Sequence, residues 1–115
     1  MNADLHGLPS QAVEEICGVL AGHSAVERAI LYGSRAKGNF KRGSDIDLTL
    51  VGSGVVYRDL LEIMDELDDL LLPYTIDLSI LHLIDHAGLR EHIERVGKEF
   101  YRRQDADMAQ SAQLT

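Results

Sequence analysis

Apolar residues recur at helical spacing from Pro9 to Ala21, where Val13, Ile16, Cys17 and Leu20 form an i, i+3, i+4, i+7 stripe. Pro9 suits the first turn of that helix and Gly22 its end. Val26 to Tyr32 then reads as a strand that stops at Gly33, with Ser34 placed to cap a short helical turn. From Asp45 to Val51 the alternation is strict. Ile46, Leu48 and Leu50 point one way, and Asp45, Asp47 and Thr49 the other. Thr75 to Leu81 repeats it, with Ile76, Leu78 and Ile80 opposite Thr75, Asp77 and Ser79. Between these strands, Tyr57 to Leu72 predicts a helix with Leu60, Met64, Leu67 and Leu71 inward and Pro73 as its stop. A last helix is predicted from about His86 to Arg103 on the stripe Leu89, Ile93, Val96 and Phe100.

Two strands with matching amphipathic faces imply an α/β domain whose sheet is covered by helices on one face and open on the other. Asp45, Asp47 and Asp77 would meet on the open face. At 115 residues, one domain over residues 1–103 is expected, followed by a small, polar, frayed tail over 104–115. No apolar run approaches the roughly 20 residues that cross a bilayer, and the N-terminus lacks a signal-peptide pattern. Cys17 is the single cysteine, so no internal disulfide can form. Its place on a core stripe marks it as a small hydrophobe. The cytoplasm is the expected location, with no membrane association.

Charge sharpens the picture. A net charge of −8 disfavours nonspecific nucleic-acid binding. Against that background Arg35, Lys37, Lys41 and Arg42 gather four of the eleven cationic side chains into eight positions. They lie between Gly33-Ser34 and the Asp45-Ile46-Asp47 pair. Phosphate calls for cations and N–H donors, and a divalent ion calls for clustered oxygen anions. Three aspartates on one face repel strongly, by roughly 4 kcal/mol for a pair about 4 Å apart at an effective dielectric of 20. Protonation or cations must relieve that repulsion. Oxygen-only ligands favour Mg²⁺ or Mn²⁺, and two such ions with a nucleoside triphosphate suit phosphoryl or nucleotidyl transfer.

Other motifs fail on named residues. Asn39-Phe40 stands where a Walker-A loop needs Lys and Ser/Thr. Leu50 and Val56 replace the glycine and glutamate of an EF-hand loop. His6, His23, His82, His86 and His92 are scattered, which suits surface or structural roles better than metal ligation. The acidic run on the Tyr57–Leu72 helix reads as a solvated face.

The wording Gly33-Ser34-Arg35-Ala36-Lys37-Gly38 … Ser44-Asp45-Ile46-Asp47-Leu48 resembles the DNA polymerase beta nucleotidyltransferase superfamily, and within it the minimal nucleotidyltransferase (MNT) branch. The element order extends the resemblance over about residues 9–103. It implies a polymerase beta-like fold built on a small mixed β-sheet. It also implies that Asp45, Asp47 and, less directly, Asp77 ligate two Mg²⁺ (or Mn²⁺) ions and serve catalysis. Gly33 and Ser34 would hold the triphosphate of ATP, with Arg35 and Ser44 as further phosphate contacts. MNT proteins are commonly antitoxins paired with HEPN ribonuclease toxins. The resemblance therefore implies transfer of AMP to a tyrosine hydroxyl of such a partner, as in type VII-like toxin–antitoxin pairs. The alternatives are neutralisation by binding alone, a nucleotidyltransferase acting on a small molecule such as an antibiotic and, more distantly, a glycosyltransferase Asp-x-Asp motif.

Overall fold

The computed structural model describes residues 6–104. Helix α1 (Ser10–Ala21) leads into strand β1 (Arg28–Tyr32), a short helix α2 (Gly33–Lys37) and strand β2 (Ile46–Val51). Helix α3 (Tyr57–Asp69) crosses to strand β3 (Ile76–Ile80). A 3₁₀ turn (Leu81–Leu83), helix α4 (Ala87–Val96) and strand β4 (Lys98–Arg102) complete the order. The four strands form one sheet in the order β3-β2-β1-β4. β1 runs antiparallel to β2 and β4, whereas β2 and β3 are parallel, so the sheet is mixed.

The alternation read from the sequence decides the faces. Ala29, Leu31, Leu48, Leu50, Leu78 and Ile80 are buried together with Ile16 and Leu20 of α1 and Ile63 and Leu67 of α3. Each fully buried Leu or Ile contributes about 1.5–3 kcal/mol of transfer free energy, which holds α1 and α3 on this face. The opposite face carries the polar partners; it is open at Asp45 and Asp77, whereas Thr49 and the Ser79 hydroxyl further along β2 and β3 are covered. Over β1 it meets α4: Tyr32 touches His92 edge-on, and Gly97 lies against Ile30. Cys17 is half-buried against the core, and burial pushes its thiol above the ordinary range.

Three expectations need correction. Residues 86–103 are not one helix. Gly97 leaves the helical conformation at ψ 142, and Lys98–Arg102 pairs with β1 as an edge strand. Phe100 is buried from that strand, although it falls one helical turn beyond Val96. Secondly, α3 stops at Asp69, ahead of Pro73, and its inner stripe is Leu60, Ile63, Leu67 and Leu70. Met64, about 100° further round than Ile63, is 40% exposed, and Leu71 is 88% exposed at φ 56. Thirdly, Ser34 does not cap α2. The helix begins at Gly33 with Tyr32 at its N-cap and no side-chain cap, which places Ser34 inside the first turn. The frayed tail lies outside the described residues, apart from Gln104.

Candidate active site

Parallel pairing sets Asp47 directly beside Asp77, since the register runs Ile46↔Ile76, Asp47↔Asp77, Leu48↔Leu78. Adjacent strands lie about 4.8 Å apart, so the two carboxylates leave the same face as neighbours. Asp45 stands just ahead of β2 and shares their field. The pKa of the Asp47 carboxyl is raised above its ordinary value, first by burial, then by the charges of Asp77 and Asp45. His92, when charged, works the other way. Asp47 is half-buried while Asp45 and Asp77 are exposed, which makes Asp47 the residue with least water to relieve that repulsion.

The Gly33 corner closes onto the same place. Tyr32, the last residue of β1, pairs with Asp47 across the antiparallel ladder. The chain then turns at Gly33 with φ +76, and a Cβ there would overlap the Asp47 carboxylate. Only glycine combines that dihedral with that proximity. The corner therefore packs its bare backbone against an acid, with Ser34 half-buried one residue on.

Around the carboxylates the wall is polar. The Tyr32 phenol lies beside the Ser79 hydroxyl and near Asp77 and Asp47, and burial leads the causes that raise its pKa. No hydrogen bond of good geometry reaches Ser79 Oγ or its in-register neighbour Thr49 Oγ1, and both atoms are buried.

Arg35 departs from the expected phosphate contact. It is 1% exposed. Its Nε and Nη2 donate to the Ser44 carbonyl at 3.1 and 2.9 Å, and its Nη1 donates to the His6 carbonyl at 3.0 Å. The guanidinium lies between the rings of Phe40 and Tyr74, each 5.2 Å away. It ties α2 to the residue before Asp45 and to Tyr74, two residues before Ile76 opens β3. Arg35 thus braces the site from below and does not reach into it. Ser44 closes the loop ahead of Asp45: its Oγ accepts the Lys41 N–H at 2.8 Å, which leaves its own proton to donate. The basic loop side chains Lys37, Lys41 and Arg42 are exposed.

One residue at the site went unread in the sequence. His92, on α4, accepts the Gly33 N–H at Nε2 (3.3 Å) and rests edge-on against Tyr32 with centroids 6.2 Å apart. Helix α4 is distant in sequence from the glycine turn, and no local motif connects them. The other histidines fit structural roles. His86 Nδ1 accepts from Leu89 N–H at the start of α4, and His82 Nε2 meets the Val55 carbonyl.

The donor set of Asp45, Asp47 and Asp77 is wholly carboxylate oxygen, the kind a hard divalent cation takes, and the upward shift at Asp47, owed first to burial, also carries the like charge of Asp77 and Asp45 that a cation would relieve. A different trio, His23, Asp59 and Glu62, brings ligand atoms within 4.8 Å of one another. It lies on α3 and the turn after α1, and its groups already serve the fold. His23 Nε2 meets Glu66 at 3.0 Å, and Asp59 accepts the Val56 N–H at the start of α3. Among the described residues no helix is long and apolar enough to cross a membrane.

Comparison with known proteins agrees with the fold. The fold resembles a chain of a toxin–antitoxin crystal structure with AMP-PNP, at 22% identity and a TM-score of 0.65, over 84% of this chain and 78% of that one. It also resembles a chain in the complex of a tri-AMPylated Shewanella oneidensis HEPN toxin with MNT antitoxin, at 19% identity and a TM-score of 0.61, over 87% and 77%. A putative nucleotidyltransferase from Sulfolobus solfataricus matches at 19% identity and a TM-score of 0.53, over 83% and 80%. No curated protein matches by sequence. Residues 14–106 match the family described as "Polymerase beta, Nucleotidyltransferase", and with most of its length inside that match the chain belongs to the polymerase beta nucleotidyltransferase family.

Proposed function

We propose that this nucleotidyltransferase transfers AMP from ATP to a hydroxyl presented by a partner protein, a tyrosine of a HEPN toxin, and acts as that toxin's antitoxin. The observation that carries the reading is the in-register Asp47–Asp77 pair with the bare Gly33 backbone packed against it. Solved toxin–antitoxin complexes of the same fold, one with AMP-PNP and one with a tri-AMPylated toxin, support the choice of nucleotide and partner.

In this reading Asp45, Asp47 and Asp77 hold two divalent ions, Mg²⁺ or Mn²⁺, which supply charge neutralisation at the transferring phosphoryl group. Ser34 grips the triphosphate beside the bare Gly33 backbone, whose N–H donates to His92, with the Ser44 hydroxyl as a further donor. Asp77, exposed at the sheet edge, receives the proton of the incoming tyrosine hydroxyl. The tyrosine oxygen forms a bond to the α-phosphorus of ATP as the bond to the bridging oxygen breaks, and pyrophosphate departs with its electron pair. Tyr32 stays protonated and walls the pocket. Arg35 keeps Asp45 and the start of β3 in register with α2.

A second reading, neutralisation by contact alone, draws on the exposed ridge of Val56, Tyr57, Leu61 and Met64, an apolar surface suited to a protein partner. One experiment separates the two. The chain is incubated with labelled ATP, magnesium and a HEPN-type toxin protein, as wild type and as the double variant Asp45→Asn with Asp47→Asn. Label on the partner that disappears in the double variant supports transfer. Undiminished label in the double variant refutes it, and full protection of cells by a double variant that transfers nothing favours binding alone.

A further inference from the structure

We infer that His92 is a positioning residue for the nucleotide corner, holding the Gly33 peptide from α4 so that Ser34 and Asp47 stand ready for the triphosphate. This inference rests on the proposed use of that corner for nucleotide binding.

Two contacts meet at the imidazole. The Gly33 N–H donates to Nε2 at 3.3 Å, and the ring edge abuts Tyr32 at an interplanar angle of 82°. Both partners neighbour the carboxylates: Gly33 packs on Asp47, and the Tyr32 phenol lies within the field of Asp77 and Asp47. A peptide N–H can only donate, so Nε2 must carry the lone pair and the proton sits on Nδ1. The contact therefore specifies a tautomer as well as a place.

The mechanical case follows from what else holds the corner. Gly33 takes φ +76, a conformation that a glycine leaves at little cost. The α2 helix it opens is five residues long and has no side-chain cap. His92 supplies the missing restraint, and it does so from a longer helix anchored by the buried Ile93 next to it. Without the imidazole acceptor the corner would have to be ordered by the ligand at each binding event, which weakens affinity.

The test uses calorimetric binding of a non-hydrolysable ATP analogue with magnesium to the whole chain. His92→Ala is expected to weaken the dissociation constant about fivefold, the equivalent of one ordinary hydrogen bond. His92→Gln, whose side-chain oxygen can stand near the Nε2 position, is expected to restore most of it. A wild-type chain that fails to bind the analogue overturns the nucleotide reading and this inference together. A wild-type chain that binds, with unchanged affinity in His92→Ala or no rescue by His92→Gln, overturns the inference alone. Nitrogen-15 spectra of the wild type provide a second measurement that needs no variant to fold. They are expected to show His92 with its proton on Nδ1, and a proton on Nε2 would overturn the inference.

Discussion

Replacing Arg35 by methionine is the substitution whose cost can be worked most directly from the structure. The side chain is 1% exposed, and its partners are carbonyls and rings. Methionine fills similar space but withdraws every donor, so the Ser44 and His6 carbonyls each lose a charge-assisted partner. Such bonds are worth about 1.5–3 kcal/mol each, and the two aromatic contacts add about 0.5–1 kcal/mol apiece. Relief from burying the guanidinium offsets part of that sum, which leaves a net loss of roughly 3 kcal/mol. In a domain of about 100 residues this corresponds to a fall of roughly 12–24 °C in the unfolding midpoint. Urea titration followed by circular dichroism gives the free energy directly. Lysine should recover less than half, because a single ammonium cannot serve two carbonyls and lie flat between two rings. A loss below about 1 kcal/mol for Arg35→Met would refute the bracing role.

Three other expectations follow from the same geometry. Gly33→Ala should destabilise the fold by about 1–3 kcal/mol and abolish binding of magnesium and an ATP analogue, because the new methyl meets the Asp47 carboxylate at a strained φ; calorimetry showing normal binding would contradict it. The folded chain keeps its proton on Asp47 above the ordinary value of 3.8, so stability falls as pH rises from there through the raised value. Asp47→Asn removes that loss, and its stability advantage over wild type should grow through the same window and then level off, as read by thermal unfolding at a series of pH values. On α3, Ile63→Ala should cost about 2–5 kcal/mol while Met64→Ala costs under about 1 kcal/mol, a contrast that unfolding curves would report directly.

Much of the sheet was legible because strands β2 and β3 alternate without exception, and two aspartates on such strands have to share a face. The register that sets Asp47 beside Asp77 was not legible, since pairing depends on how α3 delivers β3. Strand β4 was hidden by a coincidence of spacing. Phe100 continues the helical stripe of Ile93 and Val96 by one turn, and only the break at Gly97 converts it to an edge strand. Leu60 and Leu67 belong equally to two neighbouring stripes on α3, so the sequence alone could not decide between Ile63 and Met64. Arg35 looked like a phosphate ligand because its neighbours do. Its burial arises from Phe40, Tyr74 and the His6 carbonyl, three contacts from separate parts of the chain. His92 escaped for the same reason.

The most direct test is anomalous diffraction from crystals of the chain grown with Mn²⁺ and a non-hydrolysable ATP analogue. The account predicts manganese held by Asp47 and Asp77, with Asp45 contributing, and the triphosphate lying along Gly33 and Ser34. Manganese bound at His23, Asp59 and Glu62 with none at the aspartates of β2 and β3, or a nucleotide seated away from the Gly33 corner, would contradict it.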